Sequence, residues 1–442
     1  MSGEILGVIL IFLVTVLLAY PLGKYMTKVF KGEKTVTDFM IPLERFIFRI
    51  CGIDPAESMN WKQFLKAMLT INLLWLVYAM LMLIFQDKLP LNPDGNPGQT
   101  PDLAFNTAIS FLVNCNLQHY SGESGLTYLT QLFVITFLQF LSAATGIACL
   151  VALFNGLKEK TTANFGNFWN YLVKSTTRIL LPLSIIVAVI LAFNGTPTSY
   201  DGKDTITTLQ GDTVQVSRGP AAGMIAIKQL GTNGGGWFGV NSAHPFENPN
   251  YFTNAVENIS ILLIPIALVF ALGFYINRKR LAWTIFGVMT FFFVLFCSMN
   301  TYYETKGNPA LNKMGVAQQV GSMEGKEIRI GSAATAFWSV STTSTSNGSV
   351  NGMHDSLTPI SGGVVMIDMM INALYGGVGV GLLNYFIFII IAVFISGLMV
   401  GRTPEFMGHK IEAREVKISM LVTLLSAILI KGGTAAAAYM VA

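Results

Sequence analysis

The sequence predicts an all-α polytopic membrane protein in which a span, a short half-crossing helix, a polar turn and a second span recur along the chain. Three observations carry this. Of the 442 residues, 52% are hydrophobic and 12% charged, with a mean hydropathy of +0.56, whereas a soluble domain has about 25% charged residues. Eight apolar stretches have the composition of bilayer-crossing helices, which take about 20 residues. Three shorter apolar segments each run into a turn rich in Gly, Ser, Thr or Asn. The length is therefore taken up by spans, not by several soluble domains.

Span one, near 5–22, has no basic segment before it and no small-x-small cleavage site after it; Lys24, Lys28, Lys31 and Lys34 follow. It reads as a retained span with its N-terminus outside, not a signal peptide. A basic segment continues to Lys66, with an interfacial stretch around 39–50. Span two is near 67–85, and 86–101 has the Pro, Gly and Asn content of a loop. The short apolar segment 102–113 ends in Val113-Asn-Cys-Asn116, and span three follows at about 126–154. A basic stretch, 158–178, leads into span four (179–193). The polar segment 196–219, rich in Thr and Gly, is expected to form a small hairpin outside the membrane.

The second short apolar segment, 220–230, runs into Gly231-Thr-Asn-Gly-Gly-Gly-Trp-Phe-Gly-Val-Asn241. Span five (255–276), the basic knot Asn277-Arg-Lys-Arg280 and span six (281–299) come next. The third short segment, 333–340, ends in Ser341-Thr-Thr-Ser-Thr-Ser-Asn-Gly348. A Gly- and Met-rich region reaches Gly381, span seven is near 382–400, the charged segment 401–417 follows, and span eight starts at 418. The loops on the side of Lys24 carry 19 Lys and Arg; the longer opposite loops carry 8. Cytoplasmic loops hold the excess of basic residues, so all three short helices enter from outside.

A half-crossing helix followed by glycines is what a re-entrant loop needs. Irregular backbone at membrane depth survives only where it lines water or is buried in protein, and glycine lets the chain turn its carbonyls without a side-chain clash. The turns hold Asn, Thr, Ser and Gly but no Asp or Glu. Neutral oxygens plus backbone carbonyls suit a hard monovalent cation; a Ca²⁺ site brings carboxylates, and an anion pore brings Arg or Lys. The carboxyl ends of the short helices add partial negative charge.

The second and third turns also match in sequence. Val240-Asn-Ser-Ala-His244 and Val350-Asn-Gly-Met-His354 lie 110 residues apart. That offset sets Thr232 on Thr342, Asn233 on Thr343, Gly234 on Ser344 and Gly235 on Thr345, with Asn114 opposite Asn233. Such repetition is an architectural signal, and transporter substrates bind at the interface between repeats.

Gly231-Thr-Asn-Gly-Gly-Gly with Asn241-Ser-Ala-His-Pro-Phe-Glu-Asn248, Ser341-Thr-Thr-Ser-Thr-Ser346 with Val350-Asn351 and Met353-His-Asp-Ser356, and Gly401-Arg-Thr-Pro-Glu405 resemble the potassium-binding subunit of Kdp-type potassium-transporting ATPases along essentially the whole chain. The resemblance implies a fold of pseudo-fourfold membrane–pore–membrane repeats with re-entrant pore loops around one pore. Expected boundaries are an N-terminal span plus cytoplasmic segment (1–66), repeat one (67–154, pore loop 102–118), repeat two (155–276, pore loop 220–241), repeat three (277–417, pore loop 333–351) and the first helix of an incomplete fourth repeat (418–442). It implies a function: binding and selecting external K⁺ and passing it to a P-type ATPase partner for ATP-driven import across a bacterial inner membrane. K⁺ is the transported ion, and ATP acts only through the partner. Implied partners are that catalytic P-type ATPase chain, one single-span accessory subunit, one small hydrophobic subunit, plus membrane lipids, with no nucleic acid.

Carried over from the family, the K⁺ filter strands would be Val113, Asn114, Cys115 and Asn116; Thr232, Asn233, Gly234 and Gly235; and Thr343, Ser344, Thr345 and Ser346. Below them, Gly376, Gly377, Gly379 and Gly381 would form a gate or branch point, although small residues also permit close helix packing. Asn372 stands where many relatives carry a Glu, and Asp368 one turn earlier is the candidate substitute. The family's fourth filter strand is absent before Ala442; truncation is the expectation. His244 and His354 read as hydrogen-bonded braces of the filter, since neither has a Cys or carboxylate cluster nearby to complete a metal site.

Four cysteines, Cys51, Cys115, Cys149 and Cys297, show neither metal spacing nor a disulfide framework. Lys431 interrupts an apolar run, either snorkelling to the interface or meeting a partner, and Arg402 reads as a topology anchor. No Gly-x-x-x-x-Gly-Lys-Ser/Thr phosphate loop and no Asp-Lys-Thr-Gly sequence occurs, so no ATP hydrolysis is expected from this chain. The alternatives are a passive K⁺ channel or ion-coupled K⁺ transporter of the same superfamily, or a non-conducting scaffold.

Overall fold

A computed structural model describes residues 2–158 and 164–441. Helix α1 (Ser2–Lys31) is followed by the short α2 (Ile41–Cys51), α3 (Trp61–Ile84), α4 (Pro101–Leu112) and a continuous helical run α5 (Tyr128–Lys158). Then come α6 (Phe168–Phe193), the strands β1 (Asp204–Thr207) and β2 (Thr213–Val216), α7 (Ala222–Leu230), α8 (Tyr251–Tyr275) and α9 (Lys279–Lys306). The chain continues through α10 (Ser332–Ser344), α11 (Pro359–Ile371), α12 (Val380–Val400), the strands β3 (Glu405–Phe406) and β4 (His409–Lys410) and α13 (Ala413–Val441).

Among the described residues, eight helices are long and apolar enough to cross a membrane: α1, α3, α5, α6, α8, α9, α12 and α13. They coincide with the eight expected spans, most reaching further into flanking polar sequence. The largest extension at one end is in α6, which begins at Phe168 and not near 179. Its first turns carry Asn170, Lys174, Ser175, Thr176 and Thr177, which lower hydropathy without breaking a helix. Asn167 caps it by accepting from the Asn170 N–H at 3.0 Å.

The expected hairpin is present: β1 and β2 pair antiparallel with Asp204 opposite Val216 and Thr207 opposite Thr213. The stretch around 39–50, expected to be interfacial, folds as α2, which buries Glu44 and Phe48 and exposes Leu43, Phe46 and Ile50.

Helix α8 is the core. Nineteen of its residues are buried, Pro265 among them. Asn250 caps it, accepting from the Phe252 and Thr253 N–H groups at 3.0 Å each. Helix α1 lies against it closely: a Cβ at Gly23 would meet the Ala267 carbonyl, and Thr27 Oγ1 donates to the Ala271 carbonyl at 3.2 Å. Two helices carry π turns, Gln131–Thr136 in α5 and Ser175–Leu180 in α6. Such bulges redirect side chains. The first turns Gln131 toward the Trp237 carbonyl. The second holds Arg178 against Glu44 and Asp38, its Nε 2.5 Å from Glu44 and Nη1 3.0 Å from Asp38.

The three short helices appear as α4, α7 and α10, and one differs in extent. The serines and threonines at 341–344, expected as a turn, complete the last turn of α10. Hydroxyls here fold back on the helix: Ser341 donates to the Phe337 carbonyl at 2.9 Å, and Thr345 at the helix cap donates to the Ser341 carbonyl at 2.8 Å. A hydroxyl bonded to the carbonyl four residues back is compatible with a continuing helix, at a slight cost in stability. Helix α11, within the Gly- and Met-rich region, is an apolar helix of 13 residues, too short to cross.

Candidate functional site

Helices α4, α7 and α10 end alike. In each, the residue two positions past the helix turns left-handed: Asn114 at φ +63°, Thr232 at +49° and Ser346 at +52°. The next N–H reaches back five residues: Cys115 to the Ser110 carbonyl at 2.9 Å, Asn233 to Lys228 at 2.9 Å and Asn347 to Thr342 at 2.9 Å. This is the bond of a Schellman-type helix end. Two residues on, φ is positive again, at Asn116 (+57°), Gly234 (+98°) and Gly348 (+85°). The three loops therefore align by conformation as 114–117, 232–235 and 346–349.

That alignment revises the third segment. Expected at Thr343, Ser344, Thr345 and Ser346, the counterpart of 232–235 lies at Ser346, Asn347, Gly348 and Ser349. Thr343 and Ser344 are helical, and Thr345 is the helix cap. The offset of 110 holds at Val240 and Val350 but becomes 114 at the helix ends, because the second loop is four residues longer before it reaches that motif. In the first loop the expected Val113 precedes the left-handed turn and is exposed.

The loops meet. The Asn114 amide donates to the Gly231 and Thr232 carbonyls at 3.3 and 3.2 Å, and Asn233 Nδ2 donates to Asn114 Oδ1. A Cβ at Gly235 would lie 3.2 Å from the Asn116 Cβ. Gly234 is pressed against the third loop: a Cβ there would collide with the Asn347 carbonyl and stand 2.8 Å from the Gly348 Cα. Its left-handed φ and this backbone neighbour both demand glycine.

Three glutamines hold the loop from behind. Gln139 donates to the Gly235 carbonyl at 3.3 Å and Gln131 to the Trp237 carbonyl at 3.3 Å; Gln118 donates to the Gly236 carbonyl at 3.1 Å and accepts from the Gly236 N–H at 2.8 Å.

Beneath the loops runs the glycine-rich segment between α11 and α12. Gly376 and Gly377 donate to the Ser344 and Thr345 carbonyls at 2.8 and 2.7 Å, and the Val378 N–H donates to Thr232 Oγ1 at 2.9 Å. Gly376 and Gly377 bond the helix end of α10. Gly379 and Gly381 serve close approach, since a Cβ would strike the Gly146 backbone at the first and the Gly376 backbone at the second. Asp368, fully buried, accepts the Thr343 and Ser344 hydroxyls on Oδ2 at 2.7 Å each. Asn372, left-handed at φ +44°, accepts the Ser346 hydroxyl at 2.5 Å.

His244 stacks face to face on Phe238 at 3.9 Å, and its Nδ1 accepts the Phe246 N–H at 3.1 Å. Burial lowers its pKa. His354 sits in a short turn before α11, its pKa pushed down to about 4 by burial and then by nearby Lys326. The His244 bond is local, two residues along its own chain, and does not reach the three aligned loops. Among the described residues, no three His, Cys, Asp or Glu side chains group as metal ligands.

Sequence reading missed the charges around the second loop. Lys228 on α7 and Glu247 form an ion pair with both side chains fully buried. Glu257 on α8 accepts from Gln229 at 2.6 Å and Ser242 at 2.9 Å. A second buried pair, Lys326 and Glu304 at 2.9 Å, holds the chain that follows the third loop, where Lys326 bridges to Gly352 and Glu304 accepts from the Thr358 N–H at 2.8 Å. The available signal was a Lys and a Glu inside apolar segments, where a charge costs about 3 kcal/mol on insertion scales.

A family model described as potassium-transporting ATPase A subunit matches residues 9–442. Relatives named potassium-transporting ATPase potassium-binding subunit include one from Phocaeicola vulgatus, 61% identical over 440 residues, covering 100% of this chain and 78% of the relative. One from Flavobacterium johnsoniae is 61% identical over 443 residues (100% and 77%). One from Rhodospirillum centenum is 47% identical over 438 residues (98% and 76%).

Proposed function

This chain belongs to the potassium-transporting ATPase A subunit family, and on that premise we propose that its three matched loops select external K⁺ and pass it to a partner subunit that hydrolyses ATP. The observation that carries the reading is the shared conformation of 114–117, 232–235 and 346–349, three helix ends bent twice into the left-handed region and packed edge to edge. Backbone oxygens arranged this way replace water around a cation. The helix carboxyl ends behind them bias the site toward positive charge.

Each loop belongs to one membrane–pore–membrane repeat entered from outside, with the N-terminus outside a bacterial inner membrane. The charge asymmetry of the loops supports that orientation. Selected ions descend past Asp368, the charged group nearest the end of α10, to the glycine segment at 376–378, which acts as the gate. Free energy comes from the ATPase partner; the single-span and small hydrophobic partner chains, with surrounding lipid, complete the assembly.

The test is Gly234→Asp in the complex reconstituted with its partner subunits, reading K⁺, Rb⁺ and Na⁺ dependence of ATP hydrolysis and uptake. K⁺ preference is expected to collapse while membrane insertion is retained. An unchanged preference overturns the filter reading.

A further inference from the structure

The Gly234 carbonyl is held by a side chain that is itself held by a buried charge. Asn241, left-handed at φ +57°, donates from Nδ2 to the Gly234 carbonyl at 2.5 Å. Its Oδ1 accepts from Lys228 Nζ at 2.8 Å and from the Ser349 hydroxyl of the third loop at 3.2 Å. Lys228 spends its other two N–H bonds on the Ser242 hydroxyl, at 2.7 Å, and on the Glu247 carboxylate. Glu247 in turn accepts the Phe238 N–H at 2.9 Å.

An asparagine amide can usually flip, because its oxygen and nitrogen have the same shape. Here it cannot. Flipping would aim an N–H at an ammonium that is fully shielded from water, and a carbonyl oxygen at the Gly234 carbonyl oxygen. The ammonium therefore fixes which end of Asn241 faces the loop, and Asn241 fixes the plane of the Gly234–Gly235 peptide. A planar peptide sets the direction of the groups on both sides of it. Ser349 makes the same amide a link between the second and third loops.

We propose that Asn241, locked by the Lys228–Glu247 pair, is a positioning residue that determines ion specificity. The proposal rests on reading 232–235 as an ion-binding segment. Neither the expected filter strands nor their expected braces included it.

The experiment compares Asn241→Asp, Asn241→Ser and Gly234→Asp in the reconstituted complex, reading the ratio of apparent K⁺ to Rb⁺ affinity beside maximal turnover. Aspartate keeps the acceptor for Lys228 but turns an oxygen toward Gly234; serine is too short to reach. Loss of one hydrogen bond is expected to cut the K⁺-over-Rb⁺ ratio about tenfold. Lys228→Arg, which keeps the donors and the charge, is expected to hold the ratio closer to wild type than Lys228→Met. A role in stability alone lowers the yield of assembled complex or its turnover and leaves the ratio unmoved. If Gly234→Asp shifts the ratio and whichever Asn241 variants assemble do not, the positioning role is overturned and the filter reading stands. If Gly234→Asp leaves the ratio unmoved, both fall together.

Discussion

At the scale of single residues, electrostatics separates the site into a neutral face and a charged frame. The three aligned loops carry no ionised side chain, while Lys228 and Glu247 stand behind the second, Asp368 bonds the end of α10, and Lys326 and Glu304 hold the chain that follows the third. Asp368 is the acid bonded to the end of α10. Asp368→Asn keeps an acceptor for the Thr343 and Ser344 hydroxyls but removes the charge, so K⁺-stimulated turnover is expected to fall roughly tenfold with ion preference retained, measured as K⁺-dependent ATP hydrolysis. His354 gives a pH dependence of defined sign. Its folded pKa of about 4 lies below the ordinary 6.5, so the unfolded chain binds the proton more readily. Its stabilising contribution is full above pH 6.5 and is lost as pH falls toward 4. Thermal unfolding followed between those limits is expected to show a smaller acid loss in His354→Gln.

At the scale of elements, the end of α10 decides which residues form the third segment. A Ser/Thr run has no apolar periodicity, so nothing in its composition distinguishes a loop from a helix whose hydroxyls bond back four residues. The two registers make opposite predictions. Gly348→Asp is expected to disturb K⁺ over Rb⁺ preference as Gly234→Asp does. Thr343→Val is expected to leave preference intact and cost only its bond to the Asp368 carboxylate, about 2 kcal/mol. Transport assays on the two variants, side by side, separate segment 346–349 from segment 343–346. The π turns of α5 and α6 belong to the same scale: each aims one polar side chain, Gln131 or Arg178, that a regular helix would direct elsewhere.

At the scale of the whole molecule, distant segments are tied by buried polar contacts. Arg178 on α6 joins Glu44 on α2, 134 residues away, and both side chains are under 10% exposed. Removing one partner of such a pair strands a charge and costs about 3–5 kcal/mol, whereas replacing both by apolar groups is often neutral. Arg178→Met is therefore expected to lower thermal stability sharply, and Arg178→Met with Glu44→Leu to recover most of it, as read by unfolding in detergent. Hydropathy and composition, summed along the chain, were enough to place the eight long apolar helices, the three short helices apart from the end of the third, and the hairpin of β1 and β2, because each depends on neighbours in sequence. The register of the third loop, the contact of Gly234 with Asn347, the glycine segment under Ser344 and Thr345, and the charge that orients Asn241 were decided only in three dimensions. Each joins residues far apart along the chain, and a direction in space for one carbonyl leaves no trace in composition.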